Sequence, residues 1–114
     1  VQPKLDVTLE RQPDGHIAIK VNTSVNPDAG LLYDFFDESR YYPDALRLGV
    51  DMARHPENVA EDDIPFWGGD ATMAQVLPDH VVIEHYWTEE KLVLSHHEFI
   101  ELVERYLRLL TPRD

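Results

Sequence analysis

Three observations predict an α+β fold for this chain. Leu5, Val7 and Leu9 alternate with Asp6, Thr8 and Glu10, and Ile17, Ile19 and Val21 repeat the alternation beyond a Pro-Gly turn. His80–Trp87, HVVIEHYW, carries β-branched and aromatic residues on both faces, as a central strand does. Lys91–Leu110 ends a strand, caps a helix and continues with helical apolar spacing. Together they predict an antiparallel sheet, an N-terminal hairpin plus a C-terminal three-stranded meander. Two short central helices and a long C-terminal amphipathic helix complete the order ββααβββα. A length of 114 residues predicts a single domain, 1–114.

Each element has a local reason. Gln12-Pro13-Asp14-Gly15 suits the tight turn of the first hairpin. Asn26-Pro27 reads as a helix cap followed by proline in the first turn, and Leu31, Leu32, Phe35 and Phe36 give that helix an apolar face ending near Arg40. Pro43 interrupts. A second helix follows to about Arg54, weakened by Gly49 and stopped by His55-Pro56. Residues 55–70, rich in Pro, Gly and acid, read as a long surface loop. Ala71–Leu77 is a strand, Pro78-Asp79 a turn, and Thr88-Glu89-Glu90 turns the chain into Lys91–Leu94.

The last helix is the most fully specified. Ser95 and Glu98 have capping-box spacing, and Leu94 with Phe99 fits a hydrophobic staple. Phe99, Val103, Tyr106 and Leu110 form its apolar stripe. Glu101–Arg105 and Glu104–Arg108 are i,i+4 pairs in the favourable order.

Charge limits the choice of partner. The chain carries a net −12, and residues 31–70 hold three arginines against ten acids. Such a surface repels nucleic acid and anionic membrane, and favours a basic protein partner. There is no cysteine, which excludes disulfides, thiolate nucleophiles and cysteine-ligated zinc. No apolar run reaches membrane-helix length, and VQPKLDV lacks the apolar region of a secretory signal, so a cytoplasmic protein is expected.

Catalytic and metal signatures are missing. His80 and His85, five apart in one strand, point to opposite faces, while His96 and His97 diverge by ~100° on a helix. His97 and Glu101, at i,i+4, fit a solvated polar face. Glu61-Asp62-Asp63 lacks the spacing of a calcium loop, no serine lies in G-x-S-x-G, and Gly68-Gly69 is a turn without a phosphate-loop pattern. No catalytic residue, metal site or cofactor is expected. Aromatic residues beside acids are more informative. Tyr41 and Tyr42 sit among Asp34, Asp37 and Glu38, and Trp67 follows Glu61, Asp62 and Asp63. Aromatic anchors in acidic surroundings suit recognition of a basic protein, so these nine residues are the expected partner-binding set.

From Phe66 to Leu110 the chain runs through a Trp-Gly turn, a strand, a short turn, an aromatic-ended strand, a short strand and a helix opening HEFIELVE. This half resembles small acidic immunity proteins of bacterial toxin–immunity systems, including contact-dependent inhibition and other polymorphic toxins. The resemblance implies a non-enzymatic inhibitor that covers the active site of a cognate basic toxin, often a nuclease. Two other classes compete with it. One is a small hydrolase or isomerase using His80, His85 or the acids as acid–base groups. The other is a homo-oligomeric subunit joined through a sheet edge.

Overall fold

A computed structural model describes residues 5–110, and the fold is α+β with antiparallel sheets. Strands β1 (Val7–Arg11) and β2 (Ile17–Val21) form a hairpin that is a two-stranded sheet of its own. Val7 faces Val21, Leu9 faces Ile19 and Arg11 faces Ile17, so the alternation predicted from sequence becomes one apolar face. The turn closes through Gly15 N–H to the Gln12 carbonyl at 2.9 Å, and Gly15 has φ +89°, a conformation that favours glycine.

The second sheet has four strands rather than three. Its order is β3 (Trp67–Gly68), β4 (Thr72–Val76), β5 (Val81–His85) and β6 (Lys91–Leu94). The short β3 lies in the stretch expected to be surface loop, and Val59, Phe66 and Trp67 of that stretch are buried. Two apolar residues at its end were too few to show a strand period. The strand expected to reach Trp87 ends at His85, and Tyr86 and Trp87 turn out to solvent. Thr72, Ala74 and Val76 pair with His85, Ile83 and Val81, and Leu92 and Leu94 extend the same buried face.

Three helices complete the fold: α1 (Leu32–Ser39), α2 (Pro43–Arg54) and α3 (His96–Leu110). A 3-10 turn, Pro27–Leu31, precedes α1, and Asn26 stands at its N-cap without a side-chain capping bond. Proline at the first position presets the φ of the turn and removes one amide that a cap would satisfy. Phe35 and Phe36 of α1 are fully buried, each burial favouring the fold by roughly 1.5–3 kcal/mol. Phe36 stacks on Tyr106 of α3 at 4.2 Å between centroids.

Gly49, which weakens α2 by propensity, has a packing reason. A Cβ there would stand 2.7 Å from the ring of Phe66, which in turn meets Phe99 of α3 edge-on at 5.5 Å. The glycine lets a residue of the supposed loop enter the core between two helices.

The capping box of α3 is present as predicted: Glu98 N–H donates to Ser95 Oγ at 3.0 Å, and Ser95 N–H to Glu98 Oε1 at 2.9 Å. Glu104, however, pairs with Arg54 of α2 rather than with Arg108, and Glu101 lies 3.6 Å from His97. A tertiary neighbour displaced the local partner. At the other end of α3, Arg11 of the hairpin donates from Nε to the Leu109 carbonyl at 2.8 Å. A cation on an orphan carbonyl at a helix C-terminus suits the helix dipole and docks the hairpin.

Candidate protein-binding site

Helix α1 faces two ways. Leu32, Phe35, Phe36 and Ser39 point inward, while Asp34, Asp37 and Glu38 follow one another on the other side, leading to Tyr41 and Tyr42. This outer stripe meets the β3–β4 turn. The two form an open groove of about 660 Å³ lined by Asp37, Glu38, Tyr41, Tyr42, Trp67 and the Gly68–Asp70 turn. Five of the nine residues singled out from sequence therefore come together here.

Their roles divide. Glu38 accepts from Ala71 N–H at 2.8 Å, from Thr72 N–H at 3.1 Å and from Thr72 Oγ–H at 2.8 Å. The Trp67 indole N–H donates to the same Thr72 hydroxyl at 3.1 Å, and its ring is buried. Gly69 is required at this junction, because a Cβ would stand 2.7 Å from both the Glu38 carboxylate and the Trp67 ring. Glu38 and Trp67 thus build the wall of the groove.

Tyr41 and Tyr42 stay outside, 67% and 60% exposed. Arg40 lies over the Tyr41 ring, 4.6 Å from its centroid, and Tyr42 tilts against Trp67 at 5.7 Å.

Two exposed rings were missed by sequence reasoning. Tyr86 and Trp87 are 50% and 73% exposed at the same end of the sheet. Tyr86 N–H donates to the Ala71 carbonyl at 2.8 Å, and its hydroxyl lies 4.0 Å from where a Gly68 Cβ would stand. Trp87 packs edge-on against His85 at 5.9 Å. The available signal was their position just before Thr88-Glu89-Glu90, where a turn ejects large side chains.

Asp34 reaches this end through His85. The His85 Nε2 lies 2.8 Å from Asp34 Oδ2, while its Nδ1 accepts from Trp87 N–H at 3.2 Å and Thr88 N–H at 3.3 Å. Both ring nitrogens are therefore engaged, with the proton on Nε2. The imidazole ties α1 to the β5–β6 turn and offers no free lone pair for proton abstraction. His80 bonds Asp79 at 2.7 Å at the far end of β5, and His96 donates to the Leu77 carbonyl at 2.7 Å.

Glu61, Asp62 and Asp63 do not line the groove. Asp63 accepts from Ala60 N–H at 2.9 Å, and its carbonyl accepts from Gln75 Nε2 at 2.7 Å, while Glu61 and Asp62 are exposed. Among the described residues, no three histidine or acidic side chains converge as metal ligands, and no helix is long and apolar enough to cross a membrane.

Among the described residues, Tyr106 is the one group with a clearly displaced titration. Burial is the main cause, pushing its pKa up to about 12, with Asp37 adding to the rise and Arg40 opposing it. Its hydroxyl donates to the Phe36 carbonyl at 3.3 Å. No protein-family model matches the chain, and neither does any curated protein or solved structure.

Proposed function

We propose that this chain is a non-enzymatic binding protein of the immunity type, which neutralises a basic toxin domain by covering its active site. The observation that carries this reading is the exposure of Tyr41 and Tyr42 in a groove with Asp37 and Asp70, with Tyr86 and Trp87 also exposed where β5 ends next to the β3–β4 turn. Exposed Tyr and Trp on a supported frame are the side chains that dominate binding energies, and the acids around them steer a cationic partner. The net −12 supports a protein partner over nucleic acid or membrane, and the expected setting is cytoplasmic. The engagement of both His85 nitrogens supports binding over acid–base catalysis.

The gene adjoining this one supplies the test. A neighbouring toxin-like domain, purified and titrated with this chain, is expected to bind with one-to-one stoichiometry and to lose its activity. Association should slow with added salt. Alanine at both Tyr41 and Trp87 should weaken binding by at least 2 kcal/mol, roughly thirtyfold. A metabolic enzyme as the only neighbour, or a toxin domain left active by an excess of this chain, overturns the reading.

A further inference from the structure

The hairpin carries a second feature that the aromatic end does not use. Gln12 N–H donates to the His16 carbonyl at 2.7 Å, and Asn22 N–H to the Asp6 carbonyl at 3.0 Å. In an antiparallel pair, alternate residues direct both backbone groups at the partner strand. The backbone groups of His16, Ala18, Lys20 and Asn22 therefore point at β1, and those of Ile17, Ile19 and Val21 point away from it. Val21 N–H has an acceptor on that outer side, the Tyr33 hydroxyl at 3.0 Å. Among the described residues, no hydrogen bond engages the outward N–H and C=O groups of Ile17 and Ile19.

These groups border a groove of about 480 Å³ between β2 and α1, lined on the helix side by Asp34, Asp37 and Arg40 and closed toward α3 by Tyr106. Arg40 has a buried Nε–H without an acceptor. The groove thus offers what an extended chain needs. Donors and acceptors stand at alternate residues along one wall, and the carboxylates of Asp34 and Asp37 stand on the other within reach of a long basic side chain.

We propose that the β2 edge is a docking site for an extended segment of a partner protein, added as a third strand to the hairpin, with a Lys or Arg side chain directed at Asp34 and Asp37. Charge selects this occupant over a second copy of the chain, since two copies each at −12 repel, whereas a basic segment is drawn in. The site stands on the backbone parity of β2 and does not require the aromatic end to be an interface.

The test uses the isotopically labelled full chain and a blocked peptide of alternating lysine and valine, followed by amide shifts and hydrogen exchange. Saturable shifts and slowed exchange at Ile17 and Ile19 are expected. N-methylation of alternate peptide amides should weaken binding about tenfold, the equivalent of one or two lost hydrogen bonds. Glutamate in place of lysine in the peptide should abolish binding, and Asp37→Asn in the chain should weaken it, with the spectrum of the free variant reporting its fold. Unprotected Ile17 and Ile19 amides at peptide saturation overturn the proposal. So do equal binding of the N-methylated peptide, shifts confined to Tyr41 and Trp87, and protection that grows with protein concentration without peptide, which would assign the edge to a second copy.

Discussion

Two aromatic–acid groups lie side by side at one end of this protein and are put to opposite uses. In the first, Glu38, Thr72 and Trp67 turn toward one another, and their hydrogen bonds join α1 to the β3–β4 turn. In the second, Tyr41, Tyr42, Tyr86 and Trp87 face solvent. Composition does not separate them, since each pairs large rings with carboxylates. What separates them is hydrogen-bond satisfaction. A carboxylate that accepts from two backbone amides and a hydroxyl is a structural part, whereas rings with most of their surface in water have contact area left to give. The difference teaches that the inward group supplies the rigidity on which the outward group depends.

The sharpest way to break this division is Glu38→Ala. It strips the acceptor from Ala71 N–H, Thr72 N–H and the Thr72 hydroxyl at once. A loss of about 3 kcal/mol is expected in urea unfolding, on the scale of hydrogen bonds to a charged group. A value inside the error of the wild type would move Glu38 into the outward group.

Tyr106, which packs on Phe36 of α1, probes the core behind that helix through pH. Its folded pKa, near 12, lies above the usual tyrosine value of 10, so its contribution is intact below pH 10 and is lost as pH rises toward 12. Unfolding free energy should fall across that window by on the order of 2–3 kcal/mol more than in Tyr106→Phe, which cannot ionise. Parallel pH profiles for the two proteins would contradict the burial of that hydroxyl.

Gly69→Ala tests the junction by volume rather than by charge. Its Cβ would stand 2.7 Å from Glu38 and from Trp67. Overpacking should destabilise by about 1–2 kcal/mol, read from the shift in thermal midpoint. A neutral or stabilised variant would show the inward group to be loosely packed.

The smallest effect on stability is expected where the effect on binding is largest. Tyr41→Ala and Trp87→Ala should each change unfolding free energy by less than about 0.5 kcal/mol, as exposed side chains do. Trp87 is the more demanding case because it touches His85. A loss above 1–2 kcal/mol in urea unfolding of either variant would place that ring in the structural group.

Much of the fold was legible in local signals. The hairpin follows from two alternating segments and a Pro-Asp-Gly turn, α3 from its capping box and stripe, and α2 from the two prolines that bound it. Asp34, Asp37 and Glu38 were legible as acids beside Tyr41 and Tyr42, and α1 carries the three of them on its outer side. Residues 55–70 misled because Phe66 and Trp67 are buried by partners outside that stretch, Gly49 and Phe99 for the one and Thr72 for the other. Phe66 meets partners 17 and 33 residues away, and the distant partners of the Trp67–Thr72 pair are Tyr42 and Glu38. Tyr86 and Trp87 misled for the opposite reason: their β propensity is high, and the strand ends at His85, two residues short of Trp87.

Sequence by itself determined the fold class, the order of elements and the acidic character, because hydrophobic period, capping and turn chemistry act over a few residues. Tertiary structure decided which acids and rings remain available. Glu38 and Trp67 are held inside, Tyr41 and Tyr42 line the groove, Tyr86 and Trp87 are left exposed at the end of β5, and Glu61, Asp62 and Asp63 lie outside the groove. The physical reason is that exposure and hydrogen-bond satisfaction are properties of pairs distant in sequence. They come into being only when the sheet and helices close on one another.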